Sequence, residues 1–160
     1  MTPKKSKKSS EKKVIGRKDM LDLPDLQLFD IPCKIDTGAY TSAIHCHRIR
    51  ILQISDGGEE LSFLLLDPSH EAYNHKEFRT KHFKEKAVKS SFGEVQYRYV
   101  ISTKVCIFGK EKELEFTLAD REEMRYPILL GRKFLREMQL VVDVARTNLS
   151  HKKKIKKNKA

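Results

Sequence analysis

Tryptophan is absent from this chain of 160 residues, and cysteine occurs only three times. No apolar run approaches the roughly eighteen residues that a membrane-spanning helix needs. The start, Met-Thr-Pro-Lys-Lys-Ser-Lys-Lys, is cationic but has no apolar segment behind it to act as a secretory signal. The expectation is a soluble protein of the cytoplasm with no membrane contact. Cys33, Cys46 and Cys106 form an odd, widely spaced set without Cys-x-x-Cys, which argues against a disulfide framework and a structural zinc site. They are expected to be reduced thiols that pack as small apolar residues. His-Glu-x-x-His and Gly-x-x-x-x-Gly-Lys-Ser/Thr are missing too, so no metallopeptidase helix and no nucleotide-binding loop is encoded. No metal and no cofactor is expected.

What the chain has in excess is positive charge, a formal +11, but it is unevenly placed. Residues 1–13 hold six Lys and one Glu, and residues 151–160 hold six Lys and no acid. Between them, residues 14–150 balance 21 basic against 21 acidic side chains. The basicity therefore belongs to two tails, which this composition predicts to be disordered. Such tails suit weak, salt-sensitive binding to polyanions. Neither contains an aromatic residue, so they lack the stacking platforms of sequence-tolerant single-strand binders.

With 39% hydrophobic residues, residues 14–150 can build one core. Ile31, Cys33 and Ile35 alternate as one face of a strand, and Asp56-Gly-Gly58 reads as a hairpin turn into Leu61–Leu66. Residues 67–83 carry little pattern and read as a surface loop. Strands are expected again at Lys86–Lys89 and Val95–Val105, with a pause at Phe108-Gly-Lys110, then at Leu114–Leu118 and Tyr126–Leu130. A short helix over Arg132–Gln139 and a last strand over Leu140–Val144 complete the pattern. Many short strands with one late helix predict a mainly β, closed or nearly closed barrel.

The first predicted strand runs directly into Lys34-Ile-Asp-Thr-Gly-Ala-Tyr-Thr41. Asp-Thr-Gly after an apolar strand is the active-site turn of aspartic proteases, which need two carboxylates about 3 Å apart, one ionised and one protonated. This chain has one such turn and no internal repeat. Downstream, Tyr126-Pro-Ile-Leu-Leu-Gly-Arg-Lys-Phe-Leu135 is an apolar strand ending in Gly-Arg before a helix. In these two features the chain resembles the retropepsins, and it is closer to a bacterial retropepsin-like branch labelled ATP-dependent zinc proteases, which accompanies ATP-grasp glutamate ligases. Four blocks from Val14 to about Leu149 carry the resemblance: Ile15-Gly16 with Leu23-Pro-Asp-Leu26; Lys34 to Ala39 with Thr41-Ser-Ala-Ile-His45; Val88-Lys-Ser-Ser with Gly93; and Thr117-Leu-Ala-Asp-Arg121 leading through Met124 to Leu129-Leu-Gly-Arg132.

The resemblance implies a homodimer in which Asp36 of each subunit is catalytic, within an active-site turn of Thr37, Gly38 and Ala39. Thr37 would bond the partner chain, and Gly38 would let the backbone approach water and substrate. A flap is expected with its tip at Ser90, Ser91, Phe92 and Gly93, flanked by Val88 and Val95 and contacting a peptide substrate. Gly131 and Arg132 would support the site. The usual partner of that arginine lies four residues after the catalytic aspartate, where this chain has Tyr40. The branch's company with glutamate ligases suggests a substrate carrying added glutamates. Against the zinc label, His45-Cys46-His47 puts adjacent ligands on opposite faces of a strand. Only His45 and His47 could pair, with a distant third residue such as His70, His75 or His82. A reading from another class is a non-catalytic dimeric adaptor for ribosomal or other acidic protein or RNA partners.

Overall fold

The computed structural model describes residues 11–89, 92–120 and 125–159. Among these residues eleven strands run as β1 (Lys13–Ile15), β2 (Lys18–Leu23), β3 (Leu28–Ile35), β4 (Ser42–Gln53), β5 (Glu59–Leu65), β6 (Glu77–Thr80), β7 (Lys84–Lys89), β8 (Val95–Ile107), β9 (Lys110–Ala119), β10 (Ile128–Leu130) and β11 (Leu140–Val142). Two helices, α1 (Arg132–Glu137) and α2 (Leu149–Asn158), and a 3-10 turn at Pro24–Leu26 complete the order.

Six strands close a barrel in the order β10-β3-β2-β8-β9-β4 and back to β10. Closure depends on β10, which enters between β3 and β4. It runs parallel to β3, with Leu130 opposite Ile35, and antiparallel to β4, with Ile128 opposite Ile44. Ile128 and Leu130, two residues apart and so on one face of this strand, are fully buried, and Leu129 between them is partly buried. The alternation expected on β3 is present, with Ile31, Cys33 and Ile35 turned into the core. Leu114, Phe116 and Leu118 do the same on β9. Phe134 of α1 plugs the core, and burying a side chain of that size stabilises the fold by about 1.5–3 kcal/mol.

The expected hairpin at Asp56-Gly-Gly58 is present, with Gly57 at φ +82° and the Gly58 N–H bonded to Asp56 Oδ1 at 2.9 Å. The predicted loop over 67–83 is only partly a loop. Glu77–Thr80 forms β6 antiparallel to β5. Phe78, the only apolar residue of β6, stacks on Phe63 with centroids 6.0 Å apart. Glu77 accepts a hydrogen bond from the Ser62 hydroxyl, which is the main reason its carboxyl is lowered to about 2; the Arg50 hydrogen bond adds to it.

Two corrections concern the tails. Residues 1–10 of the first tail lie outside the described residues, but Lys13 is not in a tail: it begins β1, parallel to β11, and its N–H reaches Gln139 O at 3.2 Å. The second tail is also ordered, since residues 149–158 form α2 rather than a disordered segment. Ten residues with five lysines would not hold a helix alone in water. The helix is fixed from outside by Asp19 of β2, a carboxylate 1% exposed, whose oxygens accept from the Ser150 N–H at 2.9 Å and the His151 N–H at 3.1 Å. This is an N-terminal cap supplied from 131 residues away in sequence. The Ser150 hydroxyl accepts from the Phe108 N–H at 2.8 Å, and Lys154 Nζ bridges Asp22 at 2.9 Å and Asp30 at 2.7 Å.

Asp19→Ala is therefore expected to lower stability by about 2–4 kcal/mol, because one buried and one part-buried helix N–H group lose their acceptor. Helical signal should be lost together with a fall in melting temperature. An unchanged melting temperature would show that α2 does not depend on this cap.

Candidate active site

Asp36 leaves β3 at its C-terminal end. Its N–H donates to Leu130 O at 2.9 Å, which ties the start of the turn to the wedge strand β10. The turn then closes on itself. The Gly38 N–H donates to Asp36 Oδ1 at 3.0 Å, and the Ala39 N–H to Asp36 O at 3.3 Å. That bond fixes one carboxylate oxygen of Asp36 within the turn. A Cβ at Gly38 would lie 3.3 Å from Asp36 Oδ1 and crowd that carboxylate. Asp36 is half-buried, whereas Thr37 and Gly38 are exposed. Among the described residues the Thr37 hydroxyl makes no hydrogen bond.

The corner at Gly131–Arg132 holds the far side of the turn. A Cβ on Gly131 would lie 2.7 Å from both Tyr40 O and Thr41 O, so only glycine fits between α1 and the turn. From this corner, Arg132 N–H donates to Ala39 O at 2.8 Å and Lys133 N–H to Tyr40 O at 3.0 Å. Buried Ser42 adds a contact, its Oγ accepting from the Gly131 N–H at 3.1 Å. Among the described residues the guanidinium of Arg132 has no carboxylate partner. Its Nη1 donates to Thr37 O at 3.0 Å, and its plane approaches the Tyr40 ring at 5.9 Å. A carbonyl and an aromatic face thus replace the carboxylate expected four residues after the aspartate. Sequence reading singled out Tyr40 only as a mismatch and missed Ser42 as a support.

Strands β7 and β8 form the hairpin expected as a flap, with Lys89 opposite Val95. Ser90 and Ser91 lie outside the described residues. Phe92 is 92% exposed and Gly93 turns the chain at φ +80°, while Val95 and Tyr97 continue an exposed apolar face. Between the root of this hairpin and the strand leaving the Asp-Thr-Gly turn is a crevice lined by Thr41, Ser42, Lys86, Leu114, Glu115 and Lys133. Glu115 is held below the usual carboxylate range, first by the hydrogen bond from Lys84 at 2.8 Å, then by Lys133 and Lys86. Three lysines around one glutamate leave the crevice net positive.

Among the described residues His45 and His47 are not joined by a third ligand side chain. The Nδ1 of His45 lies 3.2 Å from Ala119 O, and the Nδ1 of His47 lies 2.8 Å from Leu66 O, so both rings are tied to main-chain carbonyls. His47 Nε2 meets the Tyr73 hydroxyl at 3.3 Å. Among the described residues no group of three His, Cys, Asp or Glu side chains converges as a ligand set, so the residues present do not fit a zinc site. The three cysteines are free. Burial, reinforced by Asp120, pushes the Cys46 thiol up to about 12, and burial beside Asp19 raises Cys33 as well. Both are inert as nucleophiles at neutral pH.

A single-lobed closed barrel, an Asp-Thr-Gly turn at its strand end, a Gly-Arg corner behind that turn and a hairpin of flap type define a retropepsin-like domain. The model of the RimB-like family, described as retropepsin-like aspartic endopeptidase RimB, matches residues 14–153, and the chain belongs to that family. Curated relatives include a protein named "Probable alpha-L-glutamate ligase" from Shewanella halifaxensis, 34% identical over 137 residues. A protein of the same name from Desulfotalea psychrophila is 31% identical over 134 residues. These matches cover 83% and 84% of this chain but 29% and 28% of the relatives, so the chain spans less than a third of their length. The crystal structure of Lpg0085 from Legionella pneumophila, a protein of unknown function, superposes with a TM-score of 0.66 at 23% identity. It covers 88% of this chain and 99% of that one, and shares the fold. No described helix is long and apolar enough to cross a membrane.

Proposed function

We propose that this chain is a homodimeric aspartic endopeptidase of the cytoplasm in which Asp36 of each subunit supplies half of one active site. The observation that carries this reading is the Asp36 turn itself: a half-buried carboxylate is oriented by the Gly38 N–H and braced by the Gly131–Arg132 corner, and it occurs once per chain. Two such carboxylates brought together cannot both ionise, so the pair holds one proton over a broad pH range. The ionised member takes a proton from water as the oxygen attacks the peptide carbonyl, and the protonated member donates its own proton to that carbonyl oxygen. As the tetrahedral intermediate collapses, the C–N bond breaks and the carboxyl that took water's proton gives it to the departing nitrogen. The carboxylate that gave up its proton takes one back from a hydroxyl of the intermediate, so the pair is restored and no covalent enzyme intermediate forms.

Dimerisation finds support in the terminal sheet. Val14 and Val141 sit opposite one another in the β1–β11 register and both are exposed, and Val144, also exposed, follows. The sheet connects to the site through Arg17, whose carbonyl accepts from the Ile35 N–H at 2.9 Å and whose Nη1 reaches Val144 O at 3.2 Å. An exposed Thr37 hydroxyl is suited to bond the other subunit's turn. In this reading Phe92 and Gly93 close over a peptide strand, which is the substrate class. The lysines around Glu115 suit acidic side chains next to the cleavage point, and so fit a substrate bearing added glutamates.

Peptide hydrolysis by the full chain is expected to survive chelation by EDTA and to be blocked by a peptide mimic with a central hydroxyl. Loss of activity on chelation with recovery on adding zinc would overturn the reading.

A further inference from the structure

Helix α2 presents a second concentration of charge, beside a groove that shares no lining residue with the crevice next to the Asp-Thr-Gly turn. A groove of about 500 Å³ runs between α2 and the segment before it, and its charged lining is wholly cationic: Arg146, Lys152, Lys153 and Lys156. Of the lysines on α2, Lys154 faces the barrel and is consumed by Asp22 and Asp30. None of the four groove cations has a carboxylate within 4 Å among the described residues. Lys153 faces a like charge instead. Lys13 is lowered by burial and by the adjacent ammoniums of Lys153 and Lys110.

A helix carrying this repulsion would melt unless something held it. The fold holds it at three points, through the Asp19 cap, the Ser150–Phe108 bond and the Lys154 bridge. The result is a row of exposed ammoniums on a rigid support, so little conformational entropy is lost when they engage an anion. Lys152 and Lys156 are one turn apart, about 6 Å along the axis. Alternate side chains of an extended peptide repeat at nearly the same interval, about 6.6 Å.

We infer that the groove beside α2 is a docking site for an acidic protein segment, whose carboxylates are held by Arg146, Lys152, Lys153 and Lys156. Among the described residues the groove has no aromatic side chain and a single guanidinium, so it offers almost no stacking surface for nucleic-acid bases. Ammonium point charges suffice for carboxylates. The site stands whether or not Asp36 is catalytic.

The test uses the full chain carrying Asp36→Asn, so that no probe is cleaved, and a fluorescein-labelled hexaglutamate peptide followed by anisotropy. The triple variant Lys152→Gln, Lys153→Gln, Lys156→Gln is expected to weaken binding at least about tenfold while keeping its melting temperature. Arg146→Gln, which lies outside the helix, should weaken it in the same direction should the triple variant disturb α2. Labelled hexauridylate RNA should bind more weakly than the peptide at equal ionic strength. Undiminished peptide binding by both α2-groove variants would overturn the inference. So would tighter binding of the RNA, or a loss confined to Lys86→Gln with Lys133→Gln.

Discussion

Asp36→Asn is expected to remove peptide hydrolysis by about 10³-fold or more while leaving the melting temperature and the mass in solution unchanged. The amide preserves the shape of the turn, and its oxygen still accepts from the Gly38 N–H, which lies 3.0 Å from Asp36 Oδ1. What it cannot do is share a proton with its counterpart or take one from water. The same substitution separates the peptidase from the adaptor reading, since an adaptor would keep its full function as Asp36→Asn. Activity in the variant within a few fold of the parent would remove Asp36 from the chemistry.

The second large effect is expected at Gly131, where a methyl group is the whole perturbation. Its Cβ would stand 2.7 Å from two main-chain oxygens, Tyr40 O and Thr41 O, and neither belongs to a flexible side chain that could move aside. Relief requires the α1 corner to back away from the turn, which strains the Arg132–Ala39 and Lys133–Tyr40 bonds together. Gly131→Ala should therefore cost about 3 kcal/mol of stability. Activity should fall even in the fraction that remains folded, because the turn bearing Asp36 loses its brace. Thermal unfolding alongside hydrolysis measured well below the melting temperature checks both. A fully stable, fully active Gly131→Ala would mean that the corner does not hold the turn.

The legible parts of this molecule were those whose stability is local or periodic. The alternation of Ile31, Cys33 and Ile35 announced β3, and Asp56-Gly-Gly58 announced its hairpin, because a two-residue period and a positive φ both leave a residue-type signature. The Asp-Thr-Gly turn and the Gly-Arg corner were legible for the same reason. The surroundings of Arg132 were not, because it bonds a main-chain carbonyl, which every residue possesses, and leans on the ring of Tyr40. Strand β6 escaped because four residues with one apolar side chain show no period; its register comes from β5. Helix α2 escaped most completely. Its composition reads as a solvated tail, and what orders it is a buried aspartate on β2 that gives no local signal. Distant carboxylates that accept helix N–H groups are a general blind spot of composition-based reading of tails.

One active site built from two chains is the centre of this account, and stoichiometry tests it most directly. Calorimetric titration of the full chain with a tight-binding peptide mimic carrying a central hydroxyl should give one inhibitor per two chains, with sedimentation showing a dimer under the same conditions. One inhibitor per chain, or tight binding by a species that sediments as a monomer, would contradict it.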